Sequence, residues 1–190
     1  MPAASMTICD LPLAGLRLIE LTVHRDQRGH FLERYNEAVF AAGGLPTAFV
    51  QDNHSRSEPG VLRGLHYQVA PRQGKLVGVV RGAILDVAVD IRPESPTYGR
   101  HVAVELREEQ PQLLWIPAGF AHGFCVIGES PADVLYKVDS AYEPASEGGI
   151  HWADPELGIP WPTRHPIVSA RDQKLPTFAE YRSRTVQWCE

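Results

Sequence analysis

Lys75-Leu76-Val77-Gly78-Val79-Val80-Arg81-Gly82-Ala83-Ile84-Leu85-Asp86-Val87-Ala88-Val89-Asp90 is the stretch that decides the fold class. Two short runs rich in Val, Ile and Leu meet at Gly82, the pattern of strands joined by a turn. In the second run, alternation with period two places Asp86 and Asp90 on one face with Ile84 beside them. Runs of the same kind recur at 16–23, 48–53, 101–106, Gln112–Ile116, 123–127 and 134–139, with Gly and Pro between them. A spacing of about ten residues reads as an all-β sandwich or barrel. Helix signal is weak. Its best stretch is 36–43, where Asn36 can cap and Gly43 can stop a short helix.

At 190 residues the chain is expected to form a single domain, residues 1–190, with enough length to bury a sizeable core. The core barrel is placed at roughly 45–140. Beyond it the texture changes: Glu143-Pro144, Asp154-Pro155, Ile159-Pro160-Trp161-Pro162 and His165-Pro166 limit hydrogen-bond donors and favour irregular backbone. Residues 141–190 therefore read as an ordered Pro-rich wrap with little helix, in which Trp152 and Trp161 need an apolar surface to pack on. A net charge of −5 without a Lys- or Arg-rich stripe argues against a nucleic-acid partner. Cys9, Cys125 and Cys189 are three and widely spaced, which suits free thiols in a reducing compartment. The first ten residues lack the basic and apolar regions of a signal peptide, and no apolar run is long enough to span a bilayer. The expected location is cytoplasmic.

Two further segments carry the chemistry: Gly64-Leu65-His66-Tyr67-Gln68 through Gly74-Lys75 to Gly82, and Pro117-Ala118-Gly119-Phe120-Ala121-His122. They resemble the two signature stretches of a cupin barrel whose metal site has been taken apart. His66 and His122 remain, Gln68 stands for the middle histidine, and Lys75 stands for the carboxylate ligand. An ammonium cannot ligate a divalent cation and repels it, so no metal is expected. A histidine and a lysine in one pocket suit proton abstraction with a cation beside the resulting oxyanion. Histidine, with an unperturbed pKa of about 6.5, is the natural base near neutral pH. A tyrosine such as Tyr136, returning the proton on the opposite face, would complete an epimerase.

Over nearly its whole length the sequence resembles the dTDP-4-dehydrorhamnose 3,5-epimerase family. The matching segments include Asp26-Gln27-Arg28-Gly29-His30-Phe31-Leu32-Glu33, Phe49-Val50-Gln51-Asp52-Asn53-His54-Ser55, Val61-Leu62-Arg63-Gly64-Leu65-His66, Leu114-Trp115-Ile116-Pro117-Ala118-Gly119-Phe120-Ala121-His122 and Ser169-Ala170-Arg171-Asp172. The resemblance implies a cupin (jelly-roll) β-barrel with an N-terminal strand extension. It implies that His66 is the catalytic base paired with Asp172, Tyr136 the general acid and Lys75 the cation at the C4 carbonyl. Arg63 would hold the diphosphate, His122 would contact the sugar and Tyr142 would stack on thymine. Arg28, Glu33, Gln51, Asn53, Glu147 and Arg171 fall at nucleotide- or substrate-binding positions. Arg171 stands where many members have Lys, and Ala141 where many have a second tyrosine. The implied substrate is dTDP-4-keto-6-deoxyglucose, inverted at C3 and C5 without metal, flavin or nicotinamide. The implied assembly is a homodimer in which Arg28 and Glu33 reach the partner's site.

Singly, these residues have ordinary readings. Lys75 suits a solvated edge strand, Tyr136 a core, Asp172 a turn and Glu147 the lead-in to Gly148-Gly149. Cys125 reads as a small buried hydrophobe. Only the joint pattern raises them to a site. Three alternatives stay open: an epimerase acting at C3 alone, a metal-dependent cupin, and a sugar-nucleotide-binding cupin without turnover.

Overall fold

The computed structural model describes residues 6–183. In chain order its elements are β1 (Met6–Asp10), β2 (Arg17–Leu21), β3 (Val23–Asp26), β4 (Gly29–Leu32), α1 (Glu37–Ala42), β5 (Gln51–Ser57), β6 (Val61–Gln68), β7 (Lys75–Arg81), β8 (Ala83–Asp90) and β9 (His101–Arg107). They continue with β10 (Gln112–Ile116), β11 (Phe120–Ile127), β12 (Ala132–Val138), β13 (Glu147–Gly149), β14 (Ile167–Val168) and α2 (Phe178–Ser183). One sheet runs β1-β2-β10-β7-β12-β5, and the other runs β13-β6-β11-β8-β9 with β14 against β6. β3 and β4 form a separate hairpin. This is the jelly-roll architecture expected for a cupin.

Alternation along the strands explains why three layers of apolar contact form. Val77, Val79, Leu114, Ile116 and Val134 of the first sheet meet Ile84, Ala88, Phe124 and Val126 of the second inside the barrel. Val87, Val89 and Ile91 point the other way, into the wrap, against Ile150, Leu157, Phe178 and Tyr181. β8, β10 and β11 are thus covered on both faces, and they read in the sequence as nearly continuous apolar runs. The expected wrap is ordered in the described part: Trp161 packs on the second layer and its indole N–H donates to the Trp152 carbonyl (2.8 Å).

The expected helix is α1. Asn36 Oδ1 accepts from the N–H groups of Ala38 and Val39, a cap of about 1 kcal/mol. Six residues are too few for a helix to persist alone. Burial of Phe40 among Ile19, Leu45, Leu76, Leu113 and Trp115 holds it to the outer face of the first sheet, at roughly 1.5–3 kcal/mol for a fully buried side chain.

Other bounds differ from expectation. The run at 16–23 divides into β2 and β3, and that at 48–53 lies further on, as β5. β1, the β3–β4 hairpin and β6 were not expected as strands. β1 and β2 extend the first sheet through β10, so the barrel wall also draws on residues before 45. Cys189 lies outside the described residues.

β6 crosses β11 at unusually close range. His66 and His122 are opposite each other in the register, which shifts between His122 and Phe124. At Gly64 the backbone has φ of +124°, and a Cβ there would sit 2.5 Å from Gly123 Cα and 2.9 Å from the His122 carbonyl oxygen. Only glycine fits this crossing. Gly64→Ala is expected to destabilise the protein by about 2 kcal/mol or more. The corresponding fall in Tm is about 4–8 °C, readable by calorimetry.

Candidate active site

The inward positions of the two sheets carry opposite halves of one cavity of about 680 Å³, a size that takes small ligands. From the first sheet come Gln51, Asn53 and Ser55 on β5, Lys75 on β7 and Tyr136 on β12. From the second come Arg63 and His66 on β6, His122 on β11 and Glu147 on β13. Period two is what aligns them: Asn53 pairs with Tyr136, and Gln51 and Lys75 both pair with Val138 two residues on. The wrap closes the rim with Tyr142, Arg171 and Asp172. Every sequence-predicted site residue except Arg28 and Glu33 lines this cavity.

His66 Nε2–H donates to Asp172 Oδ1 at 2.8 Å, and the Gly64 N–H donates to Asp172 Oδ2 at 3.1 Å. The Asp172 N–H is itself held by Ser169 Oγ (3.0 Å), in a 3₁₀ turn that starts at Asp172. Burial alone would raise the Asp172 carboxyl. The His66 hydrogen bond and charge, with the Gly64 and Ser169 bonds, outweigh it and hold the group below the ordinary carboxylate value. With Nε2 committed to Asp172, Nδ1 of a neutral His66 ring is the atom free to accept a proton.

On the facing wall, Lys75 forms no ion pair within 4 Å among the described residues. Burial lowers its pKa to about 8, against the opposing fields of Glu147 and Asp86. Tyr136 is pushed up by burial, with Arg63 opposing and Glu147 reinforcing, so its hydroxyl stays protonated at neutral pH. The cavity therefore sets a base with a carboxylate behind it opposite a proton donor and an unpaired ammonium.

The rim residues form one chain of bonds. Arg171 pairs with Glu147 Oε2 (2.6 Å), and the Tyr142 hydroxyl donates to the same oxygen (2.7 Å). The Tyr142 N–H donates to Gln51 Oε1 (3.1 Å), and Gln51 Nε2 donates to Asn53 Oδ1 (2.8 Å). Arg63 Nε donates to Ser57 Oγ at 2.9 Å, which orients the guanidinium at the cavity.

Gln68, in the place of a cupin's second histidine ligand, is fully engaged elsewhere. Its amide nitrogen donates to the Pro71 and Ala141 carbonyls and its oxygen accepts from the Glu143 N–H. Among the described residues no three His, Cys, Asp or Glu side chains converge as a metal-ligand cluster.

Arg28 and Glu33 are not brought to the His66 cavity within one chain. Arg28 sits exposed at the β3–β4 turn, paired with Asp26, and Glu33 accepts from Asn36 Nδ2 (3.2 Å). Both line a second cavity of about 830 Å³ beside α1 and the solvent-exposed Phe31. Conversely, sequence reading assigned no role to Asp86, which lies wholly buried and accepts from His122 Nε2. An acid in the middle of an apolar strand was the signal for it.

Residues 10–180 match the family described as dTDP-4-dehydrorhamnose 3,5-epimerase. The chain belongs to that epimerase family. It is similar to a dTDP-4-dehydrorhamnose 3,5-epimerase of Methanothermobacter thermautotrophicus, 50% identical over 88% of this chain and 92% of that one. Among solved structures, the enzyme of Legionella pneumophila in complex with dTDP-4-keto-L-rhamnose is 44% identical, with a TM-score of 0.87 over 91% of this chain and 93% of that one. A 4-keto-6-deoxy sugar epimerase from the novobiocin biosynthetic gene cluster of Streptomyces spheroides is 40% identical, with a TM-score of 0.90 over 96% and 93% of the two chains.

The depressed Asp172 carboxyl links its pairing with His66 to stability. A group whose folded pKa is lowered stabilises above its unfolded value, about 3.9, and that contribution is lost as the pH falls through the folded value. Asp172→Asn is therefore expected to lower the urea midpoint at pH 7 and to show a smaller further loss at pH 3 than the unsubstituted chain.

Proposed function

We propose that this protein epimerises dTDP-4-dehydro-6-deoxy-D-glucose at C3 and C5, giving dTDP-4-dehydro-L-rhamnose in deoxysugar biosynthesis. The observation that carries the reading is the His66–Asp172 pair on one wall, facing Lys75 and Tyr136 on the other. C3 and C5 both flank the C4 ketone, so a proton at either is acidified by the same carbonyl. His66 Nδ1 takes the proton, the electron pair passes into the C4 oxygen, and Lys75 stabilises the enolate. Asp172 stabilises the imidazolium formed. A proton delivered from the opposite face, by Tyr136 or solvent, then inverts the carbon with no net change in composition.

Arg63 holds the diphosphate and His122 contacts the sugar. Tyr142, Glu147, Arg171, Gln51 and Asn53 receive the nucleotide end at the rim. Free thiols at Cys9 and Cys125 are in keeping with a cytoplasmic setting. No helix among the described residues is long and apolar enough to cross a membrane.

Turnover of dTDP-4-keto-6-deoxyglucose in deuterated water tests the reaction. Solvent deuterium is expected at both C3 and C5, and label at C3 alone would reject the double inversion in favour of a 3-epimerase. His66→Ala is expected to lower the rate by about 10²–10⁴.

Arg28 and Glu33 fit the same reading as donors to a second subunit of a homodimer. Their hairpin is exposed, and Phe31 beside them is 67% accessible in the single chain. Mixing a His66→Ala chain with an Arg28→Ala chain tests this, because a hybrid dimer would contain one intact site. Activity on the order of a quarter of the unsubstituted enzyme is expected after random exchange. Mixtures no more active than their separate components would sink the shared site.

A further inference from the structure

Asp86 sits in the middle of β8, where its inward neighbours Ile84 and Ala88 are apolar and its own accessibility is 0%. A carboxylate at such a position is costly unless its charge is used. Both of its oxygens accept from His122 Nε2, at 3.0 Å each. The strand register explains the reach: His122 lies opposite Ala88 and diagonal to Asp86 on the same face. A carboxylate can only accept, so Nε2 must carry a proton whatever the charge of the ring, and Nδ1 is left for the cavity.

Asp86 also acts on Lys75 without touching it. No ion pair within 4 Å joins them, yet the Asp86 charge opposes the loss of the Lys75 proton that burial favours. A carboxylate in direct contact would occupy the ammonium and compete with a substrate oxyanion. Held back, it supports the charge and leaves Nζ open. The larger of the two fields supporting Lys75 is that of Glu147 on β13, which is also engaged by Arg171 and Tyr142. The remaining titratable groups around the cavity are Tyr136 on β12, His66 and Arg63 on β6, His122 on β11 and Asp172 behind His66.

We propose that Asp86 is a positioning residue for the epimerisation: it orients His122 with Nδ1 toward the sugar and, together with Glu147, adds negative charge behind Lys75. The proposal rests on the epimerase reading and adds a residue to it.

The test compares kcat and KM across pH for the unsubstituted enzyme, Asp86→Asn and Asp86→Glu. Asp86→Asn is expected to lower kcat about tenfold or more with a smaller change in KM. Its alkaline limb should move to lower pH, because Lys75 loses one of two supporting negative charges. Asp86→Glu should return the limb without returning full kcat, since it restores charge but not geometry. An Asp86→Asn enzyme with an unmoved alkaline limb, or with unchanged kcat, overturns the proposal. If Asp86→Asn does not fold, histidine-selective ¹⁵N NMR on the unsubstituted protein decides: Nε2–H at His122 is expected, and an Nδ1–H tautomer overturns it. That readout needs no turnover, so an inactive unsubstituted protein would count against the functional reading while the hold of Asp86 on His122 is judged separately.

Discussion

A closed barrel gives its inward polar groups no water to retreat to, and the remaining architecture follows from how they are partnered. His66 and His122 face each other across β6 and β11, and each gives its Nε2–H to a different aspartate. Both aspartates are buried, so each imidazole has one nitrogen spent on the protein and one left over. Two such pairs side by side require the strands to approach until only glycine fits between them, as Gly64 and Gly123 do. The apolar layers on either side keep that spacing, and with it the geometry of the two His–Asp pairs.

The fold was legible where burial on both faces writes itself as continuous apolar sequence. β7, β8 and β10 begin and end as read, since Gly82 and Pro117 mark their limits and most of their residues are apolar. β6 escaped notice for the opposite reason. Arg63, Gly64, His66 and Gln68 break its apolar pattern, and they are there because the strand serves the cavity. β1, β3 and β4 are short and polar, and β1 is defined by its pairing with β2 rather than by local propensity. α1 was readable through Asn36, whose cap is a local interaction.

The site divides along the same line. Lys75 and His122 stood out by their place in a known pattern, but no local feature joins His66 to Asp172. That partnership belongs to the way the wrap folds back, and only family resemblance anticipated it. The places of Glu147 and Gln51 at the cavity rim were equally invisible in isolation, because they are fixed by a chain of bonds through Tyr142. Gln68 shows how a lost metal ligand can be put to other use. Its amide fastens residues 71, 141 and 143 together, so the position that would have gripped an ion now grips the start of the wrap.

His66 and Asp172 stand 106 positions apart, and that separation orders events in time. β6 is made long before the turn that carries Asp172, so a nascent chain holds His66 without its carboxylate partner. The His66–Asp172 pair forms only when the wrap docks and returns to β6. The wrap thus lets one side chain report on a distant segment: His66 has its carboxylate partner only where residues 141–172 have folded back onto β6.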